Sequence, residues 1–332
     1  MRFLHRPAFR RVPRTDDAQA RRAFDQLSGE EHASAGALLL SQSRSLGEDA
    51  FARLHDGHTG AWVKAVGSRI YLDGDGTAAG ADASGTGLMF GADGPAGDDV
   101  RIGFVAGVGQ GSIDTDRSVG SIDVDSYYLG LHGASQMGPL SLKAGLAYSR
   151  NQLEIRREVA VDGFTDQLDA AYDADLTQVY AEASYALSLR NGLSLSPYAG
   201  LTHAILSTEA FAEEGGAAAL TSDASTEKAS FATLGLRASG DLGQDEGRDL
   251  GWTAAASWQH AFGDQAATRR MSLADGGAFV VSGASIGRNT AALSVGLSMA
   301  VGESGRLGMG YRGQVSGDMS ANSLTADFTM RF

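Results

Sequence analysis

A chain of 332 residues is long enough for two ordinary domains or for one large barrel, and its 45 Gly against only 5 Pro set it apart from a disordered Pro/Gly-rich linker. The absence of Cys excludes disulfides and thiolate metal sites, while a formal net charge of −13 excludes a basic groove for nucleic acid. No apolar run approaches the ~20 residues of a membrane-spanning helix, so a closed β-barrel is the one transmembrane architecture open to this chain.

Residues 1 to 15 read as a disordered basic lead, with Pro7 and Pro13 opposing helix and no apolar h-region of a signal peptide. From residue 16 the spacing turns helical, Ala20, Ala23, Phe24 and Leu27 making a short apolar stripe. Ser28 and Glu31 then form the S-x-x-E pattern of a capping box, which predicts that a second helix starts here and runs to about Leu54, before Asp56-Gly57. Such a helix is about 40 Å long. It is rich in small residues (Ala33 to Ala37) and carries Ser41, Gln42, Ser43 and Arg44, a composition that suits a narrow polar-walled channel. The alternative is a surface helix laying Leu38, Leu46, Phe51 and Leu54 on a soluble core.

After Gly60 helical spacing gives way to alternation. Strands are predicted over 62–71, 84–92, 101–111 and 122–133, then around 140–149, 178–187, 193–201 and up to residue 238, and finally over 252–262, 293–299, 307–311 and 322–332. That makes about twelve, an even count that fits a single-chain outer-membrane barrel. Short Gly/Asn/Asp turns at 93–95, 136–139, 190–192 and 303–305 alternate with longer polar stretches near 112–121, 152–172, 208–229 and 267–288. Outer-membrane barrels have this asymmetry, and a soluble sandwich has no need of it.

The last strand shows the pattern most clearly. Leu324, Ala326, Phe328, Met330 and Phe332 alternate with Thr325, Asp327, Thr329 and Arg331, over about the length a tilted strand needs to cross a bilayer. The polar faces of this and other strands carry Lys143, Glu182, Arg237, Arg312, Asp327 and Arg331. A Lys or Arg turned to lipid costs about 2–4 kcal/mol at the midplane, so these charges are assigned to the lumen. Trp62, Trp252, Trp258, Tyr71 and Tyr148 are candidates for interfacial girdles.

Motifs for catalysis are weak. Ser285 lies in a G-x-S-x-G run, but that elbow needs a helix after it, whereas residues 288–297 alternate as a strand. Asp73-Gly-Asp75-Gly76 resembles the start of a calcium loop but lacks a third acidic ligand and the closing Glu. The 7 His show no H-E-x-x-H spacing. No enzyme activity, metal or cofactor is expected.

Taken together, the runs AFDQLSGE from Ala23 to Glu30, the small-residue helix to Arg53-Leu54, Gly60-Ala61-Trp62, LSPYAGL from Leu195 to Leu201, LGLR from Leu234 to Arg237, WQHAFGD from Trp258 to Asp264, FVVSGA from Phe279 to Ala284, YRGQ from Tyr311 to Gln314 and the terminal Phe332 resemble the autotransporter β-domain, the translocator unit of type V secretion, over roughly residues 16 to 332. The resemblance implies a twelve-stranded antiparallel barrel in the Gram-negative outer membrane over residues 58–332, with residues 16–57 as a linker whose helix occupies the lumen. It also implies an upstream passenger, which the short lead before the first helix does not supply, and insertion by the barrel-assembly machinery after escort by periplasmic chaperones. Outer-membrane lipid and lipopolysaccharide are the implied surroundings, and Phe328, Met330 and Phe332 the implied assembly signal. Some members cut their linker at an asparagine inside the barrel; the first Asn here is Asn151. The rival readings are a stand-alone porin or adhesin barrel, a hydrolase using Ser285, and a soluble β-protein.

Overall fold

The computed structural model describes residues 17–55, 59–74, 78–116, 119–161, 163–189, 192–245, 248–263, 266–274 and 276–331, without the side chains of 17–22, 45–55, 119, 243–245 and 248–249. The basic lead of residues 1–15, the calcium-like Asp75-Gly76 and Phe332 lie outside the described residues. Two helices, α1 (Asp17–Ser28) and α2 (Glu30–His55), precede the strands. These are β1 (Gly60–Leu72), β2 (Ala81–Pro95), β3 (Val100–Thr115), β4 (Val119–Met137), β5 (Leu140–Val161), β6 (Phe164–Tyr185), β7 (Leu187–Ser188), β8 (Ser194–Thr208), β9 (Phe211–Ala212), β10 (Leu220–Ser222), β11 (Ser225–Asp245), β12 (Arg248–Phe262), β13 (Ala266–Leu273), β14 (Phe279–Ser285), β15 (Asn289–Val301), β16 (Gly305–Val315) and β17 (Met319–Met330).

Twelve of them close a ring in the order β1-β2-β3-β4-β5-β6-β8-β11-β12-β15-β16-β17, each antiparallel to its neighbour. The ring shuts where β17 pairs with β1, from Ala61↔Met330 to Leu72↔Met319. Closure leaves no unpaired ladder edge, which hydrocarbon would not tolerate. The ladder climbs steeply. A single row of cross-strand partners that starts at Ala61, at one end of β1, passes through Ala92, Phe104, Leu131, Leu146, Val179, His203 and Ser230 and arrives at Phe262, at the other end of β12. The strands are therefore strongly tilted, as closure of a sheet requires. At the terminal end sit Gly60, Met330 and the short turns after β2, β4, β11 and β15; at the hairpin end, β5 and β6 project as 22-residue strands.

That projection corrects the expectation of a polar loop over 152–172. On β5 the even residues point outward throughout: Leu142, Leu146 and Tyr148 are exposed apolar side chains, and Arg150, Gln152, Glu154 and Arg156 continue the same row. The odd residues point inward, and their chemistry changes at the same level, from Ser141, Lys143 and Ser149 to Leu153, Ile155 and Val159. Parity cannot change along an unbroken strand, so polarity changes instead as the strand leaves the apolar layer.

The inner face of the hairpin half is consequently an apolar core. Leu38, Leu39 and Leu40 of α2 pack there against Ile70, Leu72, Ile113, Ile122, Leu153, Ile155, Leu176, Leu206 and Phe231. A polar-walled channel around the whole helix is therefore not what forms. At this level the helix packs into a largely apolar interior, and Lys143, Glu182 and Arg237 gather toward the terminal end. Trp62 also departs from its expected place at an interface: it points inward, buried over its cross-strand partner Gly91, where a Cβ would lie 2.6 Å from the indole. Tyr71, Tyr148 and Trp258 are exposed on the outside.

Between the helices Gly29 takes φ 64°, a left-handed turn that a β-carbon would disfavour and that would bring it 2.4 Å from Leu220. The capping box does not form as expected. The Ser28 hydroxyl accepts from the amide of Glu30 at 3.3 Å and donates to the carbonyl of Asp25 at 2.7 Å, while neither carboxylate oxygen of Glu31 has a hydrogen-bond partner among the described residues. The turn at Gly29 directs Ser28 and Glu31 to different elements. A four-stranded sheet, β14-β13-β10-β9, folds over the mouth at the hairpin end, and β14 lies against α2, the amide of Ala284 donating to Ser34 Oγ at 3.3 Å.

A Cβ at Gly283 would meet the Ala33 backbone at 2.5 Å. Gly283→Val is expected to lose about 1–3 kcal/mol by overpacking and to unfold at lower temperature, read from the loss of the fast-migrating folded band on heating. Gly94→Ala, at a position with nothing within 4 Å, should leave that temperature unchanged.

Candidate functional site

The chemistry-bearing residues collect inside the ring in two groups. The first fixes α2 at the mouth. His32, fully buried in the first turns of α2, donates from Nε2 to Glu213 Oε1 across 2.9 Å, and its Nδ1 lies 3.1 Å from the Tyr172 hydroxyl on β6. The ring of Phe211 stacks on His32 at 4.1 Å between centroids and on Tyr172 at 4.8 Å. Arg157, inward on β5, forks onto Glu213 through Nε at 3.0 Å and Nη2 at 2.6 Å, and its Nη1 donates to the carbonyl of Gln26 in the last turn of α1. Arg157 thus places a cation at the negative end of one helix and neutralises the carboxylate that holds the other.

Glu213 lies in the connection between β9 and β10, beyond the end of the barrel strands. Burial pushes its carboxyl up, but hydrogen bonds from His32 and Arg157 and the charge of Arg157 outweigh burial and hold it down at about 2. Further along α2, Arg44 is buried with Nη2 donating to the carbonyl of Gly287 at 2.7 Å and Nη1 to the Thr290 hydroxyl, its guanidinium 4.7 Å from the centroid of Phe231. Glu30 accepts the amide of Ala79 in the β1–β2 connection. Leu54 lies within α2, its side chain outside the described ones.

The second group lies toward the terminal end. Glu182 on β6 receives Lys143 of β5 at 3.1 Å and Arg237 of β11 at 3.3 Å, joining three of the residues that alternation assigns to the lumen. Arg237 lies over Tyr198, 4.4 Å from its centroid, and Tyr198 covers its cross-strand partner Gly235. Tyr180 covers Gly145 in the same way. Arg312 on β16 lines a cavity of about 160 Å³ beside Leu38, Ser41 and Gln42 of α2, so the structure brings it next to the helix rather than to Glu182. Asp327 on β17 sits over Gly308 and opposite Lys64. Arg331 follows the end of β17 and is exposed, its amide donating to Ser304 at 2.9 Å. Phe328 and Met330 are exposed on the outer wall of the same strand.

Ser285 ends β14, and its hydroxyl accepts from the amide of Gly287 at 3.3 Å. Strand β15 comes next, so the strand-turn-helix setting of a nucleophile elbow is not formed. Sequence reasoning missed His32, Arg157, Tyr172, Phe211 and Glu213, which come from four separate elements: α2, β5, β6 and the segment from β9 to β10. The one signal available for Arg157 was the change of polarity along β5.

Residues 61–312 match the family model of the autotransporter β-domain. The fold is similar to the translocator domain of autotransporter NalP from Neisseria meningitidis, with TM-score 0.71 and 20% identity over 90% of this chain and 98% of that one. It is similar also to the transport unit of the autotransporter AIDA-I from Escherichia coli, with TM-score 0.63 and 14% identity over 84% and 92% of the two chains. A protein of Serratia marcescens named extracellular serine protease is 30% identical over 96% of this chain, which spans only 31% of that relative's length.

Glu213→Ala leaves Arg157 buried without its counter-charge and is expected to cost about 3–5 kcal/mol at the mouth, raising hydrogen exchange of the amides of residues 30–44 at neutral pH. In the wild-type protein the carboxylate's contribution is present above the ordinary carboxyl range and is lost as the pH falls toward about 2, so the same amides should become labile only in that acid window.

Proposed function

The chain belongs to the autotransporter β-domain family, and we propose that it is the outer-membrane translocator of a larger autotransporter in which α2 is the last stretch of the exported polypeptide, retained in the pore. One observation carries the reading. Residues 30–44 of α2 are enclosed by the ring, the chain before Gly29 leaves at the hairpin end, and α2 leads into β1 at the terminal end. A polypeptide that crosses its own barrel in this direction has been exported as a loop from the terminal, periplasmic end toward the hairpin, extracellular end.

The passenger lies upstream of α1, and the relatives named extracellular serine protease favour a secreted hydrolase as cargo. The barrel is left the mechanical work of passage and anchorage, and any chemistry belongs to the passenger. Residues 58–332 form the wall and residues 16–57 the linker. Lys143, Glu182 and Arg237 brace the lumen, Arg312 and Asp327 line it, Arg331 stands at its periplasmic rim, and Ser28, Glu31, Arg44 and Leu54 belong to the linker that fills it. Phe328 and Met330 face outward on β17, and together with the terminal Phe332 they make up the C-terminal signal by which the assembly machinery recognises a substrate that periplasmic chaperones have kept unfolded. Lipopolysaccharide and phospholipid surround the apolar belt.

A stand-alone porin is the competing reading, and the plug separates the two. Protein lacking residues 1–56 is expected to show higher single-channel conductance than the full chain; equal conductance would count against a luminal helix. Phe332→Ala should lower the yield of inserted barrel several-fold while leaving the unfolding temperature of the barrels that do insert unchanged.

A further inference from the structure

The charges inside the ring are not distributed as the whole chain would suggest. The formal net charge is −13, and Asp123, Asp125, Glu154 and Asp169 are exposed on the outside of the projecting strands. Inside, toward the terminal end, the excess has the other sign. A cavity of about 180 Å³ lies against the inner wall of β12, β15, β16, β17 and β1, and the ionised side chains that line it are Lys64, Arg306 and Arg312 against the single carboxylate of Asp327. Lys143 and Arg237, which share Glu182, add a further excess cation to the same half of the lumen. Small and donor-bearing residues complete the lining. Ser294 stands directly opposite Arg312, and Arg306 Nη1 donates to Ser298 Oγ at 2.8 Å. Gly296 and Gly310 pair across β15 and β16, where a Cβ would come 2.7 Å from Thr253 Oγ1 and 2.8 Å from Thr325 Oγ1 respectively, so glycine keeps room over both hydroxyls. Two residues beyond Arg312, on the same inward face, Gln314 is nine-tenths buried and its Nε2 has no acceptor among the described residues. Arg312 borders both this cavity and the one of about 160 Å³ that Gln314 lines.

We propose that this part of the lumen is an anion site for carboxylate groups, namely the acidic side chains of polypeptide entering the barrel from the terminal end. Charge selects the ligand class. Three cations against one carboxylate leave an excess that repels an ammonium or guanidinium group and attracts a carboxylate, and inside a cleft walled by protein this field is screened less than in bulk water. Hydrogen bonding selects in the same direction. Guanidinium and ammonium groups only donate, the hydroxyls of Ser294 and Thr325 can donate, and the Gln314 amide carries a donor without an acceptor, so a group that only accepts complements the set. A carboxylate is such a group. The proposal rests on the translocator reading for the source of the carboxylates, whereas the preference for anions follows from the wall alone.

The site is tested in the folded full chain, which has no cysteine of its own. Ser294→Cys, half-buried in the cavity wall, is modified in detergent micelles with a sulfonate-bearing and with a trimethylammonium-bearing methanethiosulfonate. Each rate is divided by the rate of the same reagent on the same thiol in the boiled, unfolded chain. The normalised sulfonate-to-ammonium ratio is expected to be about tenfold above one, and to fall toward one in molar salt. Arg306→Gln and Lys64→Gln, made separately so that either folded variant suffices, should each lower the ratio several-fold at unchanged folded-band migration, and Asp327→Asn should raise it. A normalised ratio of one or below, a thiol that neither reagent reaches, or a ratio unchanged in the folded Arg306→Gln and Lys64→Gln variants would each overturn the anion site. No passenger takes part in the measurement. Failure here therefore leaves the conductance test of the translocator reading standing, and failure of that reading leaves this ratio unchanged.

Discussion

Everything in this molecule depends on the fixed two-residue period of a strand that crosses from hydrocarbon into water. A residue that faces out at the terminal end of β5 belongs to a row that still faces out at the hairpin end, yet the medium it meets has changed. The chain answers by exchanging chemistry between rows at the level of Tyr148 and Arg150. Above that level the outside is charged and the inside carries Leu153, Ile155 and Val159, interrupted only by Arg157, which is paired with Glu213. The hairpin half is therefore built like a soluble barrel with a hydrophobic core, and the other half like a membrane barrel with a polar interior.

This division explains how α2 is accommodated. Leu38, Leu39 and Leu40 lie where the wall is apolar inward, whereas His32 and Arg44 find dedicated partners in Glu213, Gly287 and Thr290. A helix carrying a histidine and an arginine at full burial would be costly in either kind of interior without them. The small sheet β14-β13-β10-β9 completes the enclosure, and its glycine at 283 brings β14 against the helix backbone.

Strand number, the outward faces and the existence of two helices were legible because each is a local periodic signal. Leu324 to Met330 needed only alternation, and Lys143, Glu182 and Arg237 only the rule that charged side chains avoid lipid. The length of β5 and β6 was not legible, because the change of face looks like a loss of pattern when only one row is followed. Trp62 was misplaced because an aromatic over a cross-strand glycine cannot be told from an interfacial one without knowing the partner. The group around His32 was beyond reach for a related reason: His32 and Glu213 are 181 residues apart, and neither sits in a repeating pattern. The capping box failed where two local rules competed and Gly29 took the chain into a turn.

The closed seam between β1 and β17 bears on how the barrel would hold a load. Tension applied from the cell exterior to the chain before Gly29 passes down α2 and enters β1 at its far end, directed back along the strand. The partners from Ala61↔Met330 to Leu72↔Met319, and the matching set with β2, are then strained along their length together rather than unzipped one at a time. Because α2 is also gripped at His32 and Arg44, part of that tension reaches β15 and the mouth before it reaches the seam. Load applied to the helix in this way is shared over the wall rather than concentrated at one strand end.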